Sequence, residues 1–440
     1  MLLGVPWRLV AAIAIALVTL GLILFRPRRL NEAIAALGGA VAMLVLGIVS
    51  PGQALTVLAR NWDVVGFYLG LMAIAALVEC SGFFDWAATL AARLAGGDER
   101  RLFLNVLVVG VLISTLFSND ATALILTPIV YALVTRLRVE ALPFMFACTF
   151  IADTASFVLP VSNPINILVL STFRLSLLDF FRLLLLPSLV VIGLNIGLFL
   201  LLFRRQLRGR FDSQQLGTLA RASRHPAYFR YVCGVLGLVA TGYIVAAAVR
   251  APLSPVALGG AALLLGGALH WRVSQPAAVA REISWPIFGF VGGMFVVVLG
   301  IEQVGPTTAF ATGLRHLAAL GTHGGGTGTL GAILVSTFGA AIGANIINNV
   351  PMALVMTTTV QHFGSVAPSA RLGLIGGTIL GCDLGPNITT VGSLATILWL
   401  LLLRRRGVTV SALDYFKVGT LVAPIMLAAG ALVMWGVLAL

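Results

Sequence analysis

Apolar runs of about 20 residues recur from one end of this chain to the other, and no other feature limits its fold as strongly. At 1.5 Å per helical residue, such a run crosses a hydrocarbon core about 30 Å thick. The composition agrees: 59% of the 440 residues are hydrophobic and 10% are charged, where soluble domains run near 25% charged. No polar stretch is long enough for a soluble domain. The expected fold is an all-α membrane protein with about ten transmembrane helices.

The formal net charge is +13. The arginines lie in loops between apolar runs, so they carry topology and not a nucleic-acid surface. Lys417 is the only lysine and Val418 follows it. A phosphate-binding loop needs Gly-Lys-Ser/Thr, so ATP coupling would require a partner protein. Cys80, Cys148, Cys233 and Cys382 are scattered, and His225, His270, His316, His323 and His362 lie in loops or at helix ends. No metal-ligand spacing results, so neither a metal nor any other cofactor is expected. The run from Leu9 to Phe25 lacks a small-residue cleavage pattern and is read as the first span.

Basic residues beside spans favour the cytoplasm. With Arg26, Arg28 and Arg29 inside, the runs 31–49 and 61–82 lead out and back, and Arg93, Arg100 and Arg101 fall inside. The run 102–137 has Ser118-Asn119-Asp120 at its middle and arginines at both ends. Two full crossings or a re-entrant hairpin with a mid-membrane tip both satisfy those arginines. Run 143–173 is one crossing broken by Pro160, Ser162, Asn163 and Pro164, since proline lacks an N–H and clashes with the preceding turn. Run 183–203 returns to the most basic loop of the chain. Then come 229–249, 253–271 and 284–304, an amphipathic stretch 306–320, and a Gly-rich segment 321–328. A second hairpin is expected at 329–363, a second broken crossing at 371–403, and a last span at 417–438. This orientation puts most basic residues inside. The organisation is N-terminal transmembrane helices at 1–60, a first inverted repeat at 61–203 with hairpin 102–137, a basic cytoplasmic linker at 204–228, and a second half at 229–440 with hairpin 329–363.

The halves resemble each other. An offset of 230 aligns Asn119 with Asn349, Asp153 with Asp383, Ser162 with Gly392, Asn163 with Ser393 and Asn166 with Thr396. Glu79 and Glu302 correspond at a slightly different offset. The paired spans run in opposite directions, so the repeats are inverted. Inverted repeats with paired broken helices build secondary transporters, with the solute site at midplane between them.

Ionisable residues deep in apolar runs are costly and point to function. Asp120, Asp153 and Asp383 are candidates for proton coupling, and Glu79 and Glu302 lie near span ends where solvation or capping suffices. The neutral polar candidates are Ser118, Asn119, Thr122, Ser162, Asn163, Asn166, Asn348, Asn349, Ser393 and Thr396. Singly, each would serve as helix–helix glue. Concentrated at four symmetric breaks, beside freed backbone groups, they suit a small polar solute or an ion.

Three stretches carry a family resemblance: Phe117–Ile129 (FSNDATALILTPI), Phe150–Ile167 (FIADTASFVLPVSNPINI) and Gly381–Leu400 (GCDLGPNITTVGSLATILWL). With them the chain resembles the ion transporter superfamily, and within it the arsenite efflux permeases, over about 31–440. Ser118-Asn119-Asp120 resembles the superfamily's hairpin-tip motif, with Asn348-Asn349 in the second hairpin. Thr390 stands where many members carry proline, and Asn387 where many carry lysine. The resemblance implies export of arsenite and antimonite, as neutral trivalent hydroxides, driven by proton entry. It also implies a bacterial inner-membrane location and optional partnership with a soluble arsenite-stimulated ATPase.

Arsenous acid is a neutral trihydroxide near pH 7, which Asn, Ser and Thr groups suit. Only Cys148 and Cys382 come near the expected site, and tight thiolate capture would impede release. A sodium/proton antiporter of the same superfamily is the nearest rival, and export of another neutral hydroxide such as silicic acid is a further one. A dicarboxylate would be repelled by Asp120. An intramembrane enzyme would need a nucleophile–base pair or metal ligands within the spans. A channel is disfavoured by the inverted repeat.

Overall fold

The computed structural model describes residues 7–25, 30–119, 122–212, 225–249, 251–319, 328–364, 366–390 and 392–439. Among these residues the chain is helical, and an antiparallel bridge between Asp98 and Arg210 is isolated. The first half runs α1 (Trp7–Phe25), α2 (Glu32–Val45), α3 (Pro51–Arg60), α4 (Trp62–Cys80), α5 (Phe83–Ala95), α6 (Glu99–Leu116), α7 (Thr127–Arg136), α8 (Ala141–Thr154), α9 (Pro164–Phe173) and α10 (Leu177–Leu202). A π-helical turn at Thr122–Leu126 leads into α7. The second half repeats that order: α11 (Pro226–Ala248), α12 (Ser254–His270), α13 (Pro276–Glu282), α14 (Trp285–Val304), α15 (Pro306–Ala319), α16 (Thr329–Ile347), α17 (Asn349–Gln361), α18 (Pro368–Leu384), α19 (Leu394–Arg405) and α20 (Ala412–Ala439).

Helices α4, α10, α11, α14, α16 and α20 are each long and apolar enough to cross a bilayer alone. Helices α1, α2 and α12 are shorter apolar helices, and α8 with α9 and α18 with α19 make two broken crossings. Each half therefore crosses through α1, α2, α4, α8–α9 and α10, or through their counterparts. Five crossings is an odd number, so the second half begins on the opposite face and runs inverted. Counting each hairpin as two further crossings leaves that parity unchanged.

Packing follows the same symmetry. Helix α2 lies against α14 and α12 against α4, so each half lends a helix to the other. Both crossings are close because glycine removes a side chain at the contact. A Cβ on Gly70 would sit 2.6 Å from the Ala257 carbonyl carbon, and one on Gly293 2.6 Å from that of Ala36. Small residues at such contacts let backbones gain dispersion contacts where lipid offers no hydrophobic drive. Helices α10 and α20, repeat mates, pack on each other. Trp62 and Trp285 open the mated helices α4 and α14 and are half exposed, as interfacial anchors on opposite faces would be.

Three short helices escape a reading based on 20-residue windows: α3, α5 and α13. In α5, Phe84, Ala88, Ala91 and Ala92 are buried while Trp86, Leu90 and Leu94 are exposed. Thirteen residues cannot cross the core, so α5 is seen only as the counterpart of α15, the amphipathic stretch expected at 306–320. The basic linker residues Arg221 and Arg224, and the cluster Arg26, Arg28 and Arg29, lie outside the described residues.

Candidate functional site

Both broken crossings stop for local reasons. Helix α8 ends at Thr154, a short 3-10 turn spans Pro160–Ser162, and Pro164 opens α9 where its missing N–H costs nothing. Asn163 caps α9, its Oδ1 accepting from the Ile165 amide at 3.2 Å. The second break passes through the 3-10 turn Gly385–Ile388 and resumes at Leu394. Each hairpin's first arm holds the break of its own repeat. Ser162 Oγ donates to the Thr115 carbonyl at 2.7 Å. At the mate of Thr115, Asn345 Nδ2 donates to the Gly385 carbonyl at 2.7 Å, while its Oδ1 accepts from the Thr389 amide and hydroxyl.

The hairpin tips meet these breaks. Asn119, Asn163, Asn348, Asn349 and Ser393 line one small pocket, closed by Tyr68, Ile287, Phe290 and Val350. Two of the five lie at the breaks, one at each, and three at the tips, and the pairs Asn119/Asn349 and Asn163/Ser393 are those aligned at an offset of 230. A tip that reaches the middle of a broken crossing cannot lie at the far membrane face. Both hairpins are therefore re-entrant. The described tip residues Asn119, Asn348 and Asn349 are buried in protein, as the bilayer requires. Asn348 joins α16 to α17 with φ of 76° and ψ of 157°, a positive-φ extended backbone that residues with side chains rarely adopt. The Asn349 amide donates to the Gly392 carbonyl at 3.1 Å, tying tip to break.

The other five sequence-expected residues shape this pocket from behind. The Ser118 carbonyl accepts from the Thr122 amide and hydroxyl, closing the first tip. Ser162 holds Thr115, as above. Asn166 Nδ2 donates to the Ser156 carbonyl at 2.8 Å. Thr396 Oγ1 lies 3.5 Å from the Tyr415 hydroxyl, toward α20. Sequence reading passed over Tyr68, Ile287, Phe290 and Val350, and placed Asn345 in the middle of the second hairpin without making it a site residue. A lone tyrosine or asparagine in an apolar helix was the available signal.

Asp153 and Asp383 are buried, one at each break. Each accepts from an asparagine that lines the pocket. Asn119 Nδ2 donates to Asp153 Oδ1 at 3.2 Å, within the first repeat. Asn163 Nδ2 donates to Asp383 Oδ1 at 2.7 Å, across the repeats. Asp120 lies outside the described residues. Cys148 and Cys382 are buried in α8 and α18 and are not among the pocket-lining residues. Among the described residues no three of His, Cys, Asp and Glu come together as metal ligands.

The pocket measures about 20 Å³, room for about one water. About one helical turn further along α9, α14 and α17 lies a larger cavity of about 210 Å³. Leu168, Ser171, Phe295, Leu299, Leu354 and Thr357 line it, with Arg60, Arg174 and Glu302 toward its mouth. The orientation expected from the arginines would put this cavity on the outer side.

The family model described as "Arsenical pump membrane protein" matches residues 11–436. The chain belongs to this family. The arsenical pump membrane protein of Yersinia enterocolitica is 34% identical over 414 residues, covering 92% of this chain and 94% of that one. Its counterpart in Escherichia coli K12 is 34% identical over 412 residues, with the same coverage. An uncharacterized transporter of Mycobacterium tuberculosis is 27% identical over 435 residues, covering 97% and 98%. Among solved structures, the Alcanivorax borkumensis YdaH transporter matches with a TM-score of 0.55 at 14% identity, covering 86% of each chain. That likeness is one of fold. This arsenical pump family member is a multi-pass membrane protein whose two hairpins and two breaks converge on one polar pocket.

Proposed function

We propose that the protein exports arsenite and antimonite from the cytoplasm, as neutral trivalent hydroxides, in exchange for protons. The observation that carries the reading is the pocket itself. In a family named for arsenical pumping, four amides and a hydroxyl from two tips and two breaks face one point. Amides and hydroxyls both donate and accept, which matches the hydroxyls of a neutral trihydroxide and leaves no charge unpaired.

The carboxyls supply the exchange. An amide nitrogen has two hydrogens. With Asp383 ionised, one Asn163 N–H is held by the carboxylate and the other is free for solute. Charge-assisted bonds are roughly twice as strong as neutral ones, so protonation loosens that hold and the binding geometry with it. Asn119 likewise donates one N–H to Asp153. Solute therefore travels outward with the carboxyls ionised, protons from outside release it, and the protonated site returns. Asp120, read with them from the sequence, is a third carrier to be tested. The small pocket beside an outer cavity supports an outward-facing arrangement, and tips and breaks must part before solute enters.

The test is arsenite uptake into everted vesicles containing the protein, with an imposed proton gradient and no ATP. Accumulation that collapses with a protonophore is expected. Sodium-dependent proton movement without arsenite accumulation would replace this reading with sodium/proton exchange.

A further inference from the structure

At the end of α10 and the start of α6, on the arginine-rich side, lies a groove of about 650 Å³. Its lining changes character along the helix axis. Gly197, Leu200 and Leu201 form the part nearer the membrane interior, then Arg204 and Arg208 follow, with Arg100 of α6 alongside. Leu201 is exposed, and a Cβ on Gly197 would meet nothing within 4 Å, so this side is open to lipid. All three guanidinium-bearing residues are exposed.

The arginines are held in place by the backbone. The Phe211 amide donates to the Gly97 carbonyl at 2.9 Å, and the Glu99 amide to the Gly209 carbonyl at 3.3 Å. These bonds latch the segment after α10 onto the start of α6. The adjacent carboxylates are already engaged: Glu99 Oε2 accepts from the Gly209 amide as part of that latch, and Asp98 Oδ1 caps α6 by accepting from the Arg101 amide.

We propose that this groove binds one anionic phospholipid of the cytoplasmic leaflet, its phosphate among Arg100, Arg204 and Arg208 and an acyl chain along Gly197, Leu200 and Leu201. The polarity gradient of the groove is that of the lipid, and basic pockets between spanning helices on the cytoplasmic side suit such headgroups. The repeat supplies an internal comparison. The mated position, at the end of α20, faces the opposite leaflet, and residues 425–439 there carry no charged side chain. The fold alone therefore does not require arginines here.

The test uses the full-length protein in a neutral detergent, titrated with phosphatidylglycerol or phosphatidylcholine, with bound lipid counted by native mass spectrometry. One phosphatidylglycerol is expected to be retained in preference to phosphatidylcholine. Arg→Gln changes at 100, 204 and 208 should weaken retention roughly five-fold for each guanidinium removed. Gly197→Trp, which fills the groove and leaves every arginine, should weaken it too, and decides the matter if the triple variant does not fold. Equal retention of the two lipids, or Gly197→Trp binding as well as the unaltered protein, overturns the proposal. So does complete displacement by inorganic phosphate, which would show a site that reads phosphate alone.

Discussion

Asn163, at the break of the first repeat, donates through Nδ2 to Asp383 of the second at 2.7 Å, joining residues 220 positions apart. The same asparagine lines the pocket and caps α9. One side chain thus couples a buried carboxyl, the solute pocket and the start of a helix. Asp383→Asn keeps the shape and removes the charge. It should lower proton-driven arsenite accumulation at least about ten-fold, since a hydrogen bond to a charged partner is worth about 1.5–3 kcal/mol. Asp153→Asn should act in the same direction. Accumulation ratios in everted vesicles check both, and Asp120→Asn belongs in the same series. If all three variants accumulated arsenite normally, the carboxyl exchange would be wrong.

The ten polar residues should separate into two classes. Asn349→Ala and Ser393→Ala remove groups that face the pocket. Each should raise the half-saturating arsenite concentration about five- to ten-fold, the equivalent of one hydrogen bond of about 1–1.5 kcal/mol, with little change in unfolding temperature. Thr122→Ala and Ser162→Ala remove bonds that hold a tip or a break. They should lower stability by about 1 kcal/mol each and leave half-saturation nearly unchanged in the protein that remains folded. Transport kinetics alongside thermal unfolding in detergent distinguish the classes.

The pocket was legible because helix breakers and polar side chains are rare in apolar sequence, so their clustering at 118–120, 160–166, 345–351 and 385–393 stood out. The offset of 230 then paired residues that do meet in space. What could not be read was direction. Asn119 and Thr122 are one helical turn apart, yet one faces the pocket and the other bonds back to Ser118. A π-helical turn follows at 122–126, and no periodicity announces it. Helix α5 was hidden because half its surface is apolar and its length is below a span. The exchange of α2 and α12 between halves depends on Gly70 and Gly293, which any apolar helix could carry.

Helices α16 and α18 should tolerate no side chain at Gly381. A Cβ there would lie 2.2 Å from the Thr337 carbonyl oxygen, and 2.7 Å from Ala340 Cβ. Neither can swing away as a flexible side chain would. In the first repeat the relation is reversed: Gly110 on the hairpin arm receives Ile151 of α8, whose Cγ2 methyl would be 2.6 Å from an added Cβ. Gly381→Val should cost about 1–3 kcal/mol through overpacking, and more if the second hairpin is displaced. Thermal unfolding measures the cost. Gly197→Trp, which adds bulk to open space, should show no such loss.

The bonds around the carboxyls are unequal, and the repeats say what their exchange would be. Asn163 serves Asp383, and Asn119 serves Asp153; at an offset of 230 the mated bonds are Ser393 to Asp153 and Asn349 to Asp383. Alternating access in an inverted repeat amounts to each half adopting the other's arrangement. The outer cavity should then close and its mate open toward the cytoplasm. Leu299 and Thr357 line the present cavity, and their counterparts are Ala76 and Thr127, both buried now. In a protein without its native cysteines, Thr357→Cys should react with a membrane-impermeant thiol reagent from outside. Ala76→Cys and Thr127→Cys should react from the cytoplasmic side, and more so when saturating external arsenite or a reversed proton gradient favours the inward-facing state. Labelling rates in right-side-out and everted vesicles measure this. Labelling of Thr127→Cys only from outside would show that the two repeats do not exchange arrangements.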